Sequence, residues 1–279
     1  MHLIETKHLS YSYRDGVRAL DDVSFVAPRN VKIAVIGPNG AGKSTLFRHL
    51  NGILLAREGQ VLVRGEPVTR RNLREVRKFV GVVFQNPDDQ IFAPTVEQDV
   101  AFGPTNLGLD EATVMHRVDE ALGLLGIEHL RARPPHHLSG GEKKRVAIAG
   151  VLAMEPGVLV MDEPTAGLDP RGRDDLIGFV NELSRGFGMT VVLSTHELDL
   201  VTEFADYVYV MDRGAVLAQG TPGEVFEQEE MLRRARLDLP VLSKLCRSLR
   251  EQGADLPVSY TFDEVERNLA VALHLRREP

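Results

Sequence analysis

The sequence predicts an α/β fold: a mixed sheet with flanking helices, an antiparallel β subdomain at the N-terminus, an inserted helical subdomain and a small, mainly helical C-terminal domain. Three observations carry this reading. Apolar runs at residues 31–36, 79–84, 158–161, 190–193 and 207–211 look like strands buried on both faces, as parallel sheets covered by helices require. A glycine-rich turn follows the first run and opens a helix. Between Thr95 and Met154 the apolar period becomes helical.

In chain order, residues 1–30 read as short strands around the turn Arg14-Asp15-Gly16, with apolar patches such as Ala19-Leu20 and Val23 to Val26. After the 31–36 strand and its turn, Leu46, Phe47 and Leu50 share one helix face. In the middle stretch Val114, Val118, Leu122 and Leu125 share another, and Gly126 stands where a C-cap belongs. This divides the chain into residues 1–220, with a helical subdomain at about 87–155, and a C-terminal domain at 221–279 for which dimerisation is the candidate role. Thr221-Pro222-Gly223 reads as the breaker cluster between them, followed by an amphipathic helix carrying Leu242, Leu245 and Leu249.

Composition narrows the function classes. The 279 residues are 43% hydrophobic and 26% charged, a globular balance, and the formal charge of −7 offers no general attraction for nucleic acid or anionic lipid. A single cysteine, Cys246, excludes an internal disulfide and a cysteine-based metal cluster and fits a reducing compartment. The first residues lack an apolar core of signal-peptide length, and no run of about 18 apolar residues occurs, so membrane contact is expected through a protein partner.

Gly37-Pro38-Asn39-Gly40-Ala41-Gly42-Lys43-Ser44 fits the phosphate-binding loop pattern, in which backbone N–H groups converge on phosphate oxygens at a helix N-terminus. Lys43 is placed to reach the β- and γ-phosphates of ATP, Ser44 to ligate Mg²⁺ and Thr45 to donate to a phosphate. The 158–161 strand ends in Asp162 and Glu163, at the edge where such sheets bind ligands. Asp162 suits Mg²⁺, and Glu163 is the candidate to polarise the attacking water. Ser139, Gly140, Gly141 and Glu142 precede a helix, and by themselves read as a capping box. His136 and His137 read as a solvated linker, and Lys143 to Arg145 as a solvated helix face.

Taken with Leu138, those four residues also resemble the LSGG(Q/E) signature of the ABC ATPase family, and they lie between the two ATP motifs as that family requires. The resemblance covers residues 1 to about 220 and implies an ABC-type P-loop ATPase core. It further implies that Gln85 is a glutamine sensing Mg²⁺ and water, that Asp169 belongs to the D-loop, and that His196 is the switch histidine touching the γ-phosphate. Tyr13 is similar to the aromatic that stacks on adenine, beside the simpler reading of a strand-edge tyrosine. For His196 the simpler reading is a helix-start histidine with local bonds. In that family ATP is held between two chains, so Ser139, Gly140, Gly141, Glu142 and Asp169 would act in trans and the active unit would be a dimer.

The stretch from Gln85 through Gln90-Ile91-Phe92, together with Val100 to Pro104 and Asn106 to Leu109, resembles the ATPases of energy-coupling-factor importers. Residues 143–150 and the C-terminal extension are similar to the cobalt-transport ATPase CbiO of that group. This implies a homodimer on the cytoplasmic face of the membrane, paired with a transmembrane T-type coupling protein and a substrate-capturing membrane component, with Ile91 and Phe92 at the docking loop. Vitamin importers and exporters share these motifs, as do ABC ATPases acting on nucleic acid or ribosomes. The last usually carry a long insertion, for which the stretch between Gln85 and Ser139 is too short.

Overall fold

The computed structural model describes residues 2–273. The N-terminal strands are long rather than short: β1 (His2–Ser12) and β2 (Arg18–Pro28) form an antiparallel hairpin around the expected turn. Register shifts along the pair let each strand bend and run on past the patches that looked like separate strands. Next come β3 (Lys32–Ile36), α1 (Lys43–Leu50), β4 (Glu58–Val63), β5 (Glu66–Pro67), α2 (Leu73–Phe79) and β6 (Val80–Val83). Phe79 closes α2 instead of opening a strand, and its ring lies over Gly157, where a Cβ would stand 2.2 Å from it.

The middle of the chain is helical, with α3 (Val96–Asn106), α4 (Glu111–Leu124) and α5 (Gly140–Leu152). Val114, Val118, Leu122 and Leu125 are buried together, and Gly126 follows α4 at a φ of 64°. The chain returns through β7 (Val158–Asp162), α6 (Pro170–Phe187), β8 (Thr190–Thr195), α7 (Leu198–Phe204), β9 (Tyr207–Asp212) and β10 (Ala215–Gly220). Among the described residues four short helices follow: α8 (Pro222–Phe226), α9 (Glu229–Arg234), α10 (Val241–Glu251) and α11 (Phe262–Ala272).

Among the described residues two sheets result: an antiparallel one ordered β2-β1-β4-β5 and a larger one ordered β10-β9-β3-β8-β7-β6, parallel except for β10. Strand alternation divides the larger sheet between two cores. Ile33, Val35, Val158, Val160 and Val192 face the antiparallel sheet and α1; Ala34, Ile36, Leu159, Met161, Val191 and Leu193 face the helices. Burying each such aliphatic side chain stabilises by about 1.5–3 kcal/mol, and this fixes the strand ends that carry the site.

The C-terminal segment shares the helical core through Val225, Phe226, Leu232, Ala235 and Leu237. Thr221-Pro222-Gly223 starts a helix rather than breaking one. Thr221 and Glu224 form a reciprocal capping box, and Pro222 sits at the first helical position, where it loses no hydrogen bond. On α10 the buried line is Ser243 and Cys246, while Leu242 and Leu249 are half-buried and Leu245 is exposed. Ser243 Oγ donates to the Ser259 carbonyl at 3.2 Å, which turns that face inward and leaves the leucine line at its edge.

Candidate active site

The loop from Gly37 to Gly42 joins β3 to α1 in a conformation that side chains would spoil. Gly37 has a φ of 153°, and a Cβ there would stand 2.1 Å from the Met211 carbonyl oxygen; at Gly42, with φ 103°, it would stand 2.5 Å from that of Ala19. Gly42 is also the N-cap of α1 and offers no side-chain acceptor, so the first N–H groups of the helix are left for an anionic ligand. Gly37→Ala is expected to weaken nucleotide binding about tenfold and to cost on the order of 2 kcal/mol of stability, because backbone has to move. Fluorescent-nucleotide titration and a melting curve check both.

Lys43 is buried, and its Nζ donates to the carbonyls of Gly37 (2.7 Å) and Pro38 (3.1 Å), so the ammonium is held at the mouth of its own loop. It also lies 3.5 Å from Glu163 Oε1. Tyr13, half-buried, is brought from the hairpin to α1, where its hydroxyl meets Thr45 Oγ1 at 3.1 Å. Its ring packs edge-on against Tyr11 at 5.1 Å.

Glu163 is where the separate motifs converge. Its carboxylate, buried at the end of β7, accepts from Gln85 Nε2 at 3.2 Å and lies 3.5 Å from His196 Nδ1, opposite the Lys43 contact. Residues 43, 85, 163 and 196 come from four strand ends of one sheet, which is why no local pattern brings them together. Ser44, Gln85 and Asp162 line one cavity of about 430 Å³. Their hydroxyl, amide and carboxylate oxygens form a hard donor set that suits Mg²⁺ held jointly with phosphates and water.

Ser139, Gly140, Gly141, Glu142 and Asp169 do not join this cluster; they line a groove of about 590 Å³. The capping box is real, since Ser139 Oγ accepts from Glu142 N–H and Glu142 accepts from Ser139 N–H at 2.7 Å. The Ser139 backbone N–H and, next, its hydroxyl at 2.8 Å both donate to the Glu142 carboxylate and hold it below its ordinary range. The cap and the groove are features of the same residues. Asp169 caps α6, accepting from Gly172 N–H at 2.7 Å.

Lys143, Lys144 and Arg145 are struts, not a solvated face. Lys143 meets Asp88 at 2.6 Å, and Arg145 meets Asp175 at 3.2 Å. Lys144 reaches the carbonyls of Pro164 (2.8 Å) and Ala166, and its burial pushes the amine's pKa down while Glu163 partly offsets this. Helix α5 leans on the segment after β7, so its cations point at protein. His136 and His137 are exposed, as a linker pair should be.

Sequence reasoning missed Ser194, Thr165, Arg173 and Glu197. Glu197 accepts from Thr165 Oγ1 (3.0 Å) and Arg173 Nη1 (3.2 Å), tying the turn after β8 to the segment between Glu163 and Asp169. The signal available for Ser194 and Glu197 was their place beside His196 at a strand end.

Comparison with known proteins identifies the family. Residues 20–166 match the family model described as "ABC transporter". The energy-coupling factor transporter ATP-binding protein EcfA of Methanoculleus marisnigri is 67% identical over 96% of this chain and 97% of that protein. EcfA1 of Methanospirillum hungatei is 60% identical over 95% and 96%. The solved structure of cbiO1 from Clostridium perfringens, described as part of the ABC transporter complex cbiONQ, is 44% identical, covers 88% of this chain and 99% of its own, and superposes with a TM-score of 0.75. This chain therefore belongs to the ABC transporter family, as an ATP-binding and ATP-hydrolysing subunit similar to the energy-coupling-factor ATPases.

Proposed function

We propose that this chain, as a homodimer on the cytoplasmic face of a cell membrane, hydrolyses ATP with Mg²⁺ to power an energy-coupling-factor importer for cobalt or a related transition-metal ion. The convergence of Lys43, Gln85 and His196 on Glu163 carries the catalytic part. The 44% identity to a protein of the cbiONQ complex supports the cargo.

Residues Gly37 to Gly42 and the α1 N-terminus bind the phosphates through backbone N–H groups, with Lys43 on the β- and γ-phosphates and Thr45 donating to one of them. Tyr13 stacks on adenine. Ser44, Gln85 and Asp162 would hold Mg²⁺, which would supply charge neutralisation to the phosphates. Glu163 orients water and takes its proton as the water oxygen attacks the γ-phosphorus and the bond to the ADP oxygen breaks. His196 contacts the γ-phosphate.

The groove of Ser139, Gly140, Gly141, Glu142 and Asp169 shares no lining residue with the Lys43 and Glu163 cluster. In the homodimer a second chain supplies these residues to the first chain's ATP, and their separation from the first chain's own cluster supports that arrangement.

A different groove, of about 690 Å³, is lined by Phe84, Gln90, Phe92, Phe102 and Met154 among others, with Phe92 and Phe102 exposed and stacked edge-on at 4.7 Å. Ile91, expected beside Phe92, instead packs against the core. The exposed pair supports docking of a helix of the T-type coupling protein, with the substrate-capturing component completing the importer. Replacing Phe92 and Phe102 together with Asp is expected to spare basal ATPase and to reduce co-purification of co-expressed coupling protein at least about tenfold, since charges would meet an apolar surface. Unchanged co-purification would remove this assignment. Uptake of radiolabelled cobalt, against vitamins, by the reconstituted complex tests the cargo.

A further inference from the structure

Ser194 stands between the two carboxylates. It lies near the end of β8 with no exposed surface, and parallel pairing places it opposite Asp162 of β7. Its Oγ donates to Asp162 Oδ1 at 2.6 Å and accepts the backbone N–H of Glu163 at 2.8 Å. The roles are unambiguous, because an N–H only donates and the single hydroxyl proton is then free for the carboxylate.

Glu163 needs such an anchor. Its φ of 45° lies in the left-handed region, which costs a non-glycine residue on the order of 1 kcal/mol. That turn diverts the chain out of β7 and sends the carboxylate back toward Lys43, Gln85 and His196. Asp162, one residue earlier, stays on the cavity shared with Ser44 and Gln85.

We propose that Ser194 is a positioning residue for ATP hydrolysis, whose hydroxyl locks the Asp162–Glu163 turn so that adjacent carboxylates keep separate directions. This rests on the reading of Asp162 and Glu163 given above. Removing the hydroxyl leaves the Glu163 N–H buried without an acceptor and frees the Asp162 carboxylate to rotate. Both the metal edge and the water-orienting carboxylate then lose definition, while the phosphate loop, on a different strand end, is untouched.

Ser194→Ala, Ser194→Cys and Ser194→Thr in the full chain test this, with Glu163→Gln in parallel. Alanine and cysteine are expected to lower kcat about tenfold and to diminish severalfold the gain in nucleotide affinity on adding Mg²⁺. Nucleotide affinity in EDTA should stay within about twofold, and threonine, which keeps the hydroxyl, should retain kcat within about threefold. A purely structural serine would lower the melting temperature and leave the folded variants' kcat and Mg²⁺ response at parental values, which would overturn the proposal. So would a threonine variant as impaired as alanine. If alanine does not fold, cysteine, closest in volume and weak in hydrogen bonding, decides by the same criteria. An active Glu163→Gln enzyme would locate the failure in the carboxylate assignment; an inactive one beside a parental Ser194→Ala would locate it in Ser194.

Discussion

Glu163→Gln is expected to bind ATP normally and to turn over at least about 100-fold more slowly than the parent. Glutamine keeps the shape of the side chain and its ability to accept from Gln85, now 3.2 Å away, so the site stays assembled. It removes the charge that faces Lys43 and His196, each at 3.5 Å, and with it the base that takes a proton from water. The change is nearly isosteric at a position only 7% exposed, and the left-handed backbone is already present, so the melting temperature should move little. Nucleotide binding by equilibrium titration and phosphate release on one preparation check the two halves. Near-parental phosphate release would assign the general base elsewhere.

Gly141→Asp is expected to nearly abolish hydrolysis while leaving the fold and nucleotide binding close to normal. The position is in the first turn of α5 without a positive φ, and a Cβ there meets only Leu168 Cδ2, at 3.5 Å. Backbone strain therefore does not arise. As a cap alone, the segment would tolerate the acid, which at a helix N-terminus contributes about 0.3–1 kcal/mol of stabilisation. In the dimer reading, the same carboxylate stands where the γ-phosphate held by the other chain must approach, in a partly dry interface where repulsion is strong. A folded variant that binds ATP at its own Lys43 and hydrolyses at the parental rate would leave the segment as a cap and nothing more.

The parts of the site that were legible in the sequence are those encoded by short contiguous patterns. The 37–44 loop needs glycines wherever backbone crowds backbone, as the 2.1 Å approach at Gly37 shows, and that demand is visible in one dimension. The capping box of Ser139 and Glu142 is likewise a spacing of three residues. What escaped was set by contacts across the fold. Lys144 looked solvated because its partners, the Pro164 and Ala166 carbonyls, are backbone atoms on another element. Ile91 and Phe92 looked equivalent until packing turned one inward.

By itself, then, the sequence determined the α/β class, the buried strands, the glycine-rich loop after β3 and the pair of carboxylates at the end of β7, because strand period, glycine tolerance and capping are local requirements. Only the tertiary structure decided that Lys43, Gln85 and His196 meet on Glu163, that Ser194 lies between Asp162 and Glu163, and that Ser139 and Asp169 share a separate groove. Those juxtapositions depend on the register of β7 against β8 and on strand order in a sheet whose neighbours are distant in the chain. Burial of alternate faces between two cores fixes that register, since a one-residue slip would exchange the faces of every side chain along the strand.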